Sequence, residues 1–226
     1  QQLYNTVDTI IVGQAVGTSA LAAVGSTGNL TSLIVNFYVG LSTGASVVIA
    51  QYYGAQNKKK IHQAVHTSYM LAIVSGILMM LFGLFFSYQC LDAIGTPHDI
   101  LNDATLYMQL YFLCMIPGAI YNIGAGILRA VGDSKRPLYY LIVCSIVNVV
   151  FDFIFVVIFH QGIAGAAIAT VIAQFVCAVL VTIQLMRTKE VYKLTLSKMK
   201  FHLPVLKKII MIGAPAGIQS TMSVSY

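Results

Sequence analysis

All thirteen Lys and Arg residues of the chain fall into three short segments, with long apolar blocks between them. The first segment holds Lys58, Lys59 and Lys60, and the second holds Arg129, Lys135 and Arg136. The third holds Arg187, Lys189, Lys193, Lys198, Lys200, Lys207 and Lys208. Apolar spans read at about 1–16, 27–53, 62–90, 102–128, 137–159, 163–186 and 207–226. Most approach or exceed the ~20 residues that a helix needs to cross a bilayer. The basic segments follow the second, fourth and sixth spans. The intervening connections, near 17–26, 91–101 and 160–162, hold no Lys or Arg, and 91–101 holds Asp92 and Asp99. Strict alternation of this kind puts the basic loops and the N-terminus on the cytoplasmic side.

Composition agrees. Only 9% of the 226 residues are charged and 58% are hydrophobic, with a mean hydropathy of +0.82. A soluble domain carries about 25% charged residues. The expected fold is therefore all-α: a multi-pass helix bundle in the cell (plasma or inner) membrane, with the lipid bilayer as its surroundings. The net charge of +6 does not point to nucleic acid, because the basic residues sit in gaps between spans and not across a folded surface.

The chain opens at Gln1 without a basic leader and reaches Asp8 almost at once; it closes inside "KKIIMIGAPAGIQSTMSVSY". The expectation is a piece cut within its first and seventh helices. Residues 187–206, "RTKEVYKLTLSKMKFHLPVL", form the longest polar connection. That divides the chain into a membrane lobe at 1–186, a cytoplasmic linker at 187–206 and the start of a second lobe at 207–226.

Cys90, Cys114, Cys144 and Cys177 lie in or beside apolar spans without a C-x-x-C pair, and are expected to act as small buried hydrophobes. His62 and His66 have the i, i+4 spacing of metal ligands, but they adjoin the Lys58–Lys60 run and are expected to mark an ordinary helix end.

Five residues do not belong in hydrocarbon. Asp8 lies in the first span, Asn122 in the fourth, Asn148 and Asp152 in the fifth and Thr170 in the sixth. For the Asn and Thr residues, interhelical hydrogen bonds of about 0.6 kcal/mol remain a competing explanation. The aspartates differ, since each costs roughly 2.5–3.5 kcal/mol at mid-membrane and the nearest Lys and Arg lie at the membrane surface. Carboxylates so placed must hold a proton, share one, or bind a cation. Asn148 and Asp152 are one turn apart and share a helix face.

Pro117 lies inside the fourth span and is followed by Gly118, Gly124 and Gly126, so a kink or hinge is expected there. Gly40 and Gly44 form a G-x-x-x-G in the second span, and Gly162, Gly165, Ala166 and Ala167 open the sixth, each suited to close helix packing.

These segments together resemble the amino-terminal half of a multidrug and toxic compound extrusion (MATE) transporter. "NTVDTIIVGQAVGTSALAAVG" is similar to that family's first helix and outer loop, and "AQYYGAQNKKKIHQAV" to the exit of its second. "GILRAVGDSKRPLYY" resembles the end of its fourth helix, "GIAGAAIAT" the start of its sixth and "KKIIMIGAPAGIQS" the start of its seventh. The resemblance implies twelve helices in two six-helix lobes, of which this chain is the first lobe and a stub of the second. In the branch related to the DNA-damage-inducible protein F, it implies an ion site within the first lobe. Asp8, Asn122, Asn148, Asp152 and Thr170 match its places, with Na⁺ at Asp8, Asn148, Asp152 and Thr170, or H⁺ on the carboxylates. It further implies a monomeric antiporter without catalytic residues or cofactor. Its cargo would be a small organic cation or amphiphile. Tyr38, Tyr107, Met108 and Tyr111 are open to two readings, cavity lining or lipid contact.

Two other functional classes compete with this one. An intramembrane aspartyl protease needs a G-x-G-D setting, but Asp8 follows "NTV" and Asp152 follows "VVF", and the sole Gly-Asp pair, Gly132–Asp133, is in a basic loop. A lipid-linked sugar flippase of the same wider superfamily stays the alternative: it needs basic residues in its cavity, which the interiors of these spans lack and a second lobe could supply.

Overall fold

The computed structural model describes residues 10–11, 13–14 and 17–224. Among them, all regular structure is helical: α1 Thr18–Gly54, α2 Lys58–Ala93, α3 Leu101–Phe112, α4 Met115–Ala130, α5 Lys135–Asp152, α6 Gly162–Arg187 and α7 Leu203–Val224. A π-helix, Phe153–Ile158, continues α5 directly, and a 3-10 turn at Leu196–Lys198 interrupts the polar connection before α7. Four segments have the length and apolarity to cross a membrane: Leu30–Gly54, Lys58–Ala93, Lys135–Ile158 and Gly162–Arg187; α3 and α4 together make a fifth. α7 is long enough, but Lys207, Lys208, Gln219 and Ser220 dilute it below the apolarity of the others. Most of the expected first span lies outside the described residues.

The expected connection at 17–26 is largely helix. Gly17, with φ of +114°, makes the turn, and α1 begins at Thr18. The reason is local: "TSALAAVG" is rich in Ala and Leu, and Gly25 and Gly28 sit in open space where their missing side chains remove no contact.

Pro117 acts on the helix before it. α3 and α4 meet at a break at Leu113 and Cys114 with a 45° bend. Pro117 cannot donate to the carbonyl of Leu113, four residues back, and its ring clashes there, so the helix opens one turn upstream of the proline.

The chain forms two compact units. One comprises residues 1–31, 77–115 and 141–177; the other comprises 32–76, 116–140 and 178–226. In the second unit, glycines bring backbones together. A Cβ on Gly40 would strike the backbone of Gly217 and, at 2.8 Å, the carbonyl of Gly213; one on Gly44 would meet Gly213 N at 2.7 Å. The G-x-x-x-G of α1 is thus met by Gly213 and Gly217 of α7. Gly126 of α4 packs on Ser42 and Ser46, and Ser46 Oγ donates to the Gly126 carbonyl at 2.8 Å. In the first unit, the Phe112 ring covers Gly83, and Gln109 Nε2 donates to the Leu84 carbonyl at 3.1 Å.

The outer surface is apolar. On α2, Leu78, Phe82, Phe85 and Phe86 are exposed, and so are Leu138, Ile142, Ile146 and Val150 on α5 and Phe153 at the start of the π-helix. An apolar face of this extent belongs in lipid. The protein is an integral membrane protein.

Candidate functional site

The two faces of α5 are chemically opposite. While Ile142, Ile146 and Val150 face outward, Cys144, Asn148, Asp152 and Val156 form an inner stripe with exposures of 0 to 2%. The stripe follows from four-residue spacing, which keeps side chains on one helix face. At Asp152 the α-helix ends and the π-helix begins, with Phe159 N–H donating five residues back to the Ile154 carbonyl at 2.9 Å. Such wider turns are rare and recur at functional sites, where they re-aim side chains.

α6 returns antiparallel along this stripe. At its start, a Cβ on Gly165 would lie 3.0 Å from Phe155 Cβ, so any side chain there would push the helix back from the π turn by a few tenths of an ångström. Further on, Asn148 Nδ2 donates to Thr170 Oγ1 at 3.5 Å, a long contact, and Thr170 Oγ1 donates to the Ala166 carbonyl at 3.1 Å. Beyond that, Cys144 and Cys177 are joined in a disulfide with Cα atoms 5.9 Å apart. Three contacts thus fix the register, and Asp152 falls between the first and the second. The disulfide corrects the expectation that these cysteines are inert and separate: the spacing of 33 residues hides a pairing made only by the hairpin.

The structure therefore gathers Asn148, Asp152 and Thr170 in the first unit, all buried. Asn148 Oδ1 has no hydrogen-bond partner among the described residues. A buried carboxylate, an unsatisfied amide oxygen and a hydroxyl are hard oxygen donors, the chemistry suited to Na⁺ or a proton. The residues present fit such an ion. Asp8 lies outside the described residues. Asn122 belongs to the second unit, half-buried, where its Nδ2 donates to the Gly118 carbonyl at 2.8 Å and its own carbonyl accepts from Ser42 Oγ at 2.6 Å.

Two features of the inner stripes are not visible in the sequence. The π turn has no sequence signature. Gln174 is buried on α6, four residues after Thr170, and its Oε1 lacks a hydrogen-bond partner among the described residues. The argument that selected Thr170, a polar group inside an apolar span, applies equally to it. Tyr38, Tyr107, Met108 and Tyr111 are buried in protein, which argues against the lipid-contact reading.

His62 and His66 stack with ring centroids 4.0 Å apart, but both nitrogens of His66 are engaged. Nδ1 donates to the His62 carbonyl at 2.8 Å, and Nε2 accepts the Thr195 N–H at 3.1 Å. His202 N–H donates to Thr67 Oγ1 at 3.1 Å, so the 187–206 segment is tied to the start of α2 at two points. Desolvation, with the charges of Lys200, His66 and Lys60, holds the His202 imidazole below its ordinary pKa. No group of three or more His, Cys, Asp or Glu among the described residues could hold a metal.

Comparison with known proteins gives a consistent result. The MatE family model matches residues 1–154. Probable multidrug resistance protein YoeA of Bacillus subtilis is 28% identical over 225 residues, which is 96% of this chain and 49% of the relative. DNA damage-inducible protein F of Escherichia coli is 28% identical over 174 residues, or 76% of this chain and 38% of the relative. A solved structure described as the outward-facing conformation of a multidrug resistance MATE family transporter superposes with a TM-score of 0.90 at 27% identity. It covers 98% of this chain and 49% of that one. The chain spans about half the length of the relatives it matches.

Proposed function

Because the chain belongs to the MatE family, we propose that it is the ion-coupling part of a membrane antiporter that exports drugs, not of an enzyme. On this reading residues 1–186 form the first six-helix lobe, 187–206 a cytoplasmic linker and 207–226 the start of a second lobe. The cargo is a small organic cation or amphiphile, and the working unit is a monomer. The observation that carries the reading is the inner stripe of α5. It buries Asn148 and Asp152 completely and sets Thr170 beside them, on a helix whose outer face is apolar.

The mechanism follows from charge. Ionised Asp152 at full burial is costly, and neutralisation by H⁺ or Na⁺ removes most of that cost. Asn148 orients the ion through Oδ1, Thr170 fixes Asn148 through Nδ2, and the π turn sets the direction of the Asp152 carboxyl. Two packings of the lobe that differ in their affinity for the ion can then be driven by its gradient, because coupling is differential affinity. The family resemblance assigns Asp8 and Asn122 to the same ion-coupling role. Relatives named as multidrug resistance proteins support drug export over the flippase reading.

The test is efflux of a fluorescent cationic dye from proteoliposomes, with Na⁺ and H⁺ gradients imposed separately. Asp152→Asn keeps the size of the side chain but removes its titration and charge. Gradient-driven efflux should fall to background in the complete gene product, with expression and insertion unchanged. Wild-type efflux by this variant would make Asp152 structural and overturn the site.

A further inference from the structure

We infer that Gln174 is a further ion-binding residue, and that its amide oxygen, with that of Asn148, makes the site select Na⁺ over a proton. Gln174 stands on α6 between Thr170, which contacts Asn148, and Cys177, which is joined to Cys144. Because α5 and α6 run antiparallel, Gln174 faces α5 at the level between Cys144 and Asn148. It is 7% exposed and Asn148 is fully buried, yet Oε1 of one and Oδ1 of the other both lack a donor among the described residues.

Were these two amides merely joining the helices, the N–H of one would meet the oxygen of the other. Neither oxygen is met by any described N–H or O–H. Burying an amide oxygen without a partner costs about 1–3 kcal/mol, and the stripe carries that cost twice. A cation offsets both at once. The distinction between ions follows from the donors: a carboxylate takes a proton or Na⁺, whereas an amide oxygen near neutral pH accepts hydrogen bonds and ligates hard cations. Two amide oxygens on facing helices, added to the Asp152 carboxylate, therefore favour Na⁺ as the coupling ion.

The inference rests on the ion-site reading above, and the experiment separates the two. Na⁺ binding is read as the rise in melting midpoint of the purified complete gene product when NaCl replaces KCl, since a ligand for the native state raises it. Gln174→Met conserves volume and removes the oxygen. Its half-effective Na⁺ concentration should rise about tenfold, the loss expected for one polar contact to a charged group. Gln174→Glu retains the oxygen and adds charge, so it should bind Na⁺ at least as tightly as wild type at alkaline pH. Wild-type Na⁺ response in Gln174→Met, or weakened response in Gln174→Glu, overturns the role of Gln174. A wild-type protein that ignores Na⁺ overturns the selectivity. Undiminished Na⁺ response in Asp152→Asn overturns the underlying site instead.

Discussion

Asn148 and Thr170 hold different shares of the site, and single substitutions separate them. Asn148 lends its Nδ2 to Thr170 and leaves its Oδ1 without a partner among the described residues, so in the proposed site Asn148→Ala removes both a ligand and the contact that orients it. Thr170→Val keeps the shape and removes only the hydroxyl, which also returns the Ala166 carbonyl to its helix bond alone. Both variants leave the Asp152 carboxyl to titrate, so both should retain H⁺-driven dye efflux. Half-saturating ion concentration should rise about tenfold for Asn148→Ala and about threefold for Thr170→Val. Equal loss in the two, at the level of Asp152→Asn, would mean that they support the fold and do not ligate. Of these residues the chemistry alone selected Asn148, Asp152 and Thr170, because a carboxylate or amide inside an apolar run is visible without coordinates. Gln174 obeyed the same rule and was passed over, since nothing in its neighbours "VIA" and "FVC" says that it turns inward.

At the level of elements, Pro117 has a mechanical consequence. It separates α3 from α4 at Leu113 and Cys114, and the 45° bend is the response of a helix that has lost one backbone bond. Pro117→Ala restores the missing N–H and lets the two helices fuse. If α3 and α4 must flex during transport, the turnover of dye efflux should fall about threefold to tenfold, with apparent dye affinity nearly unchanged. Melting of the purified protein would be equal or higher, because Ala gains about 3 kcal/mol of helix propensity over Pro in an interior position. Unchanged turnover would leave the bend as packing. The existence of this break was readable from one proline, whereas the π turn after Asp152 was not. A wider turn arises when side-chain packing favours an extra residue over regular bonding, and Phe155 against Gly165 is a contact between segments.

For the whole molecule, orientation is the property that sequence addresses most directly. Replacing Cys90, Cys114, Cys144 and Cys177 and then introducing single cysteines allows labelling of intact cells with an impermeant thiol reagent. Lys59→Cys and Lys135→Cys should remain unlabelled, and His98→Cys should react. Labelling at 59 without labelling at 98 would reverse the protein in the membrane. Helical class and lipid exposure were set by the sequence itself: apolar blocks must satisfy their backbone internally once in hydrocarbon, and helices are the local solution. The five candidate residues were likewise selected by the cost of burying polar atoms. Which polar atoms meet is another matter. The pairing of Cys144 with Cys177, the contact of Asn148 with Thr170 and the fit of Gly40 and Gly44 against Gly213 and Gly217 join residues far apart in sequence. Periodicity tells which face of a helix is buried, but not which helix lies against it. Only the tertiary structure decided that, because the choice depends on the summed packing of every neighbour and on no single segment's composition.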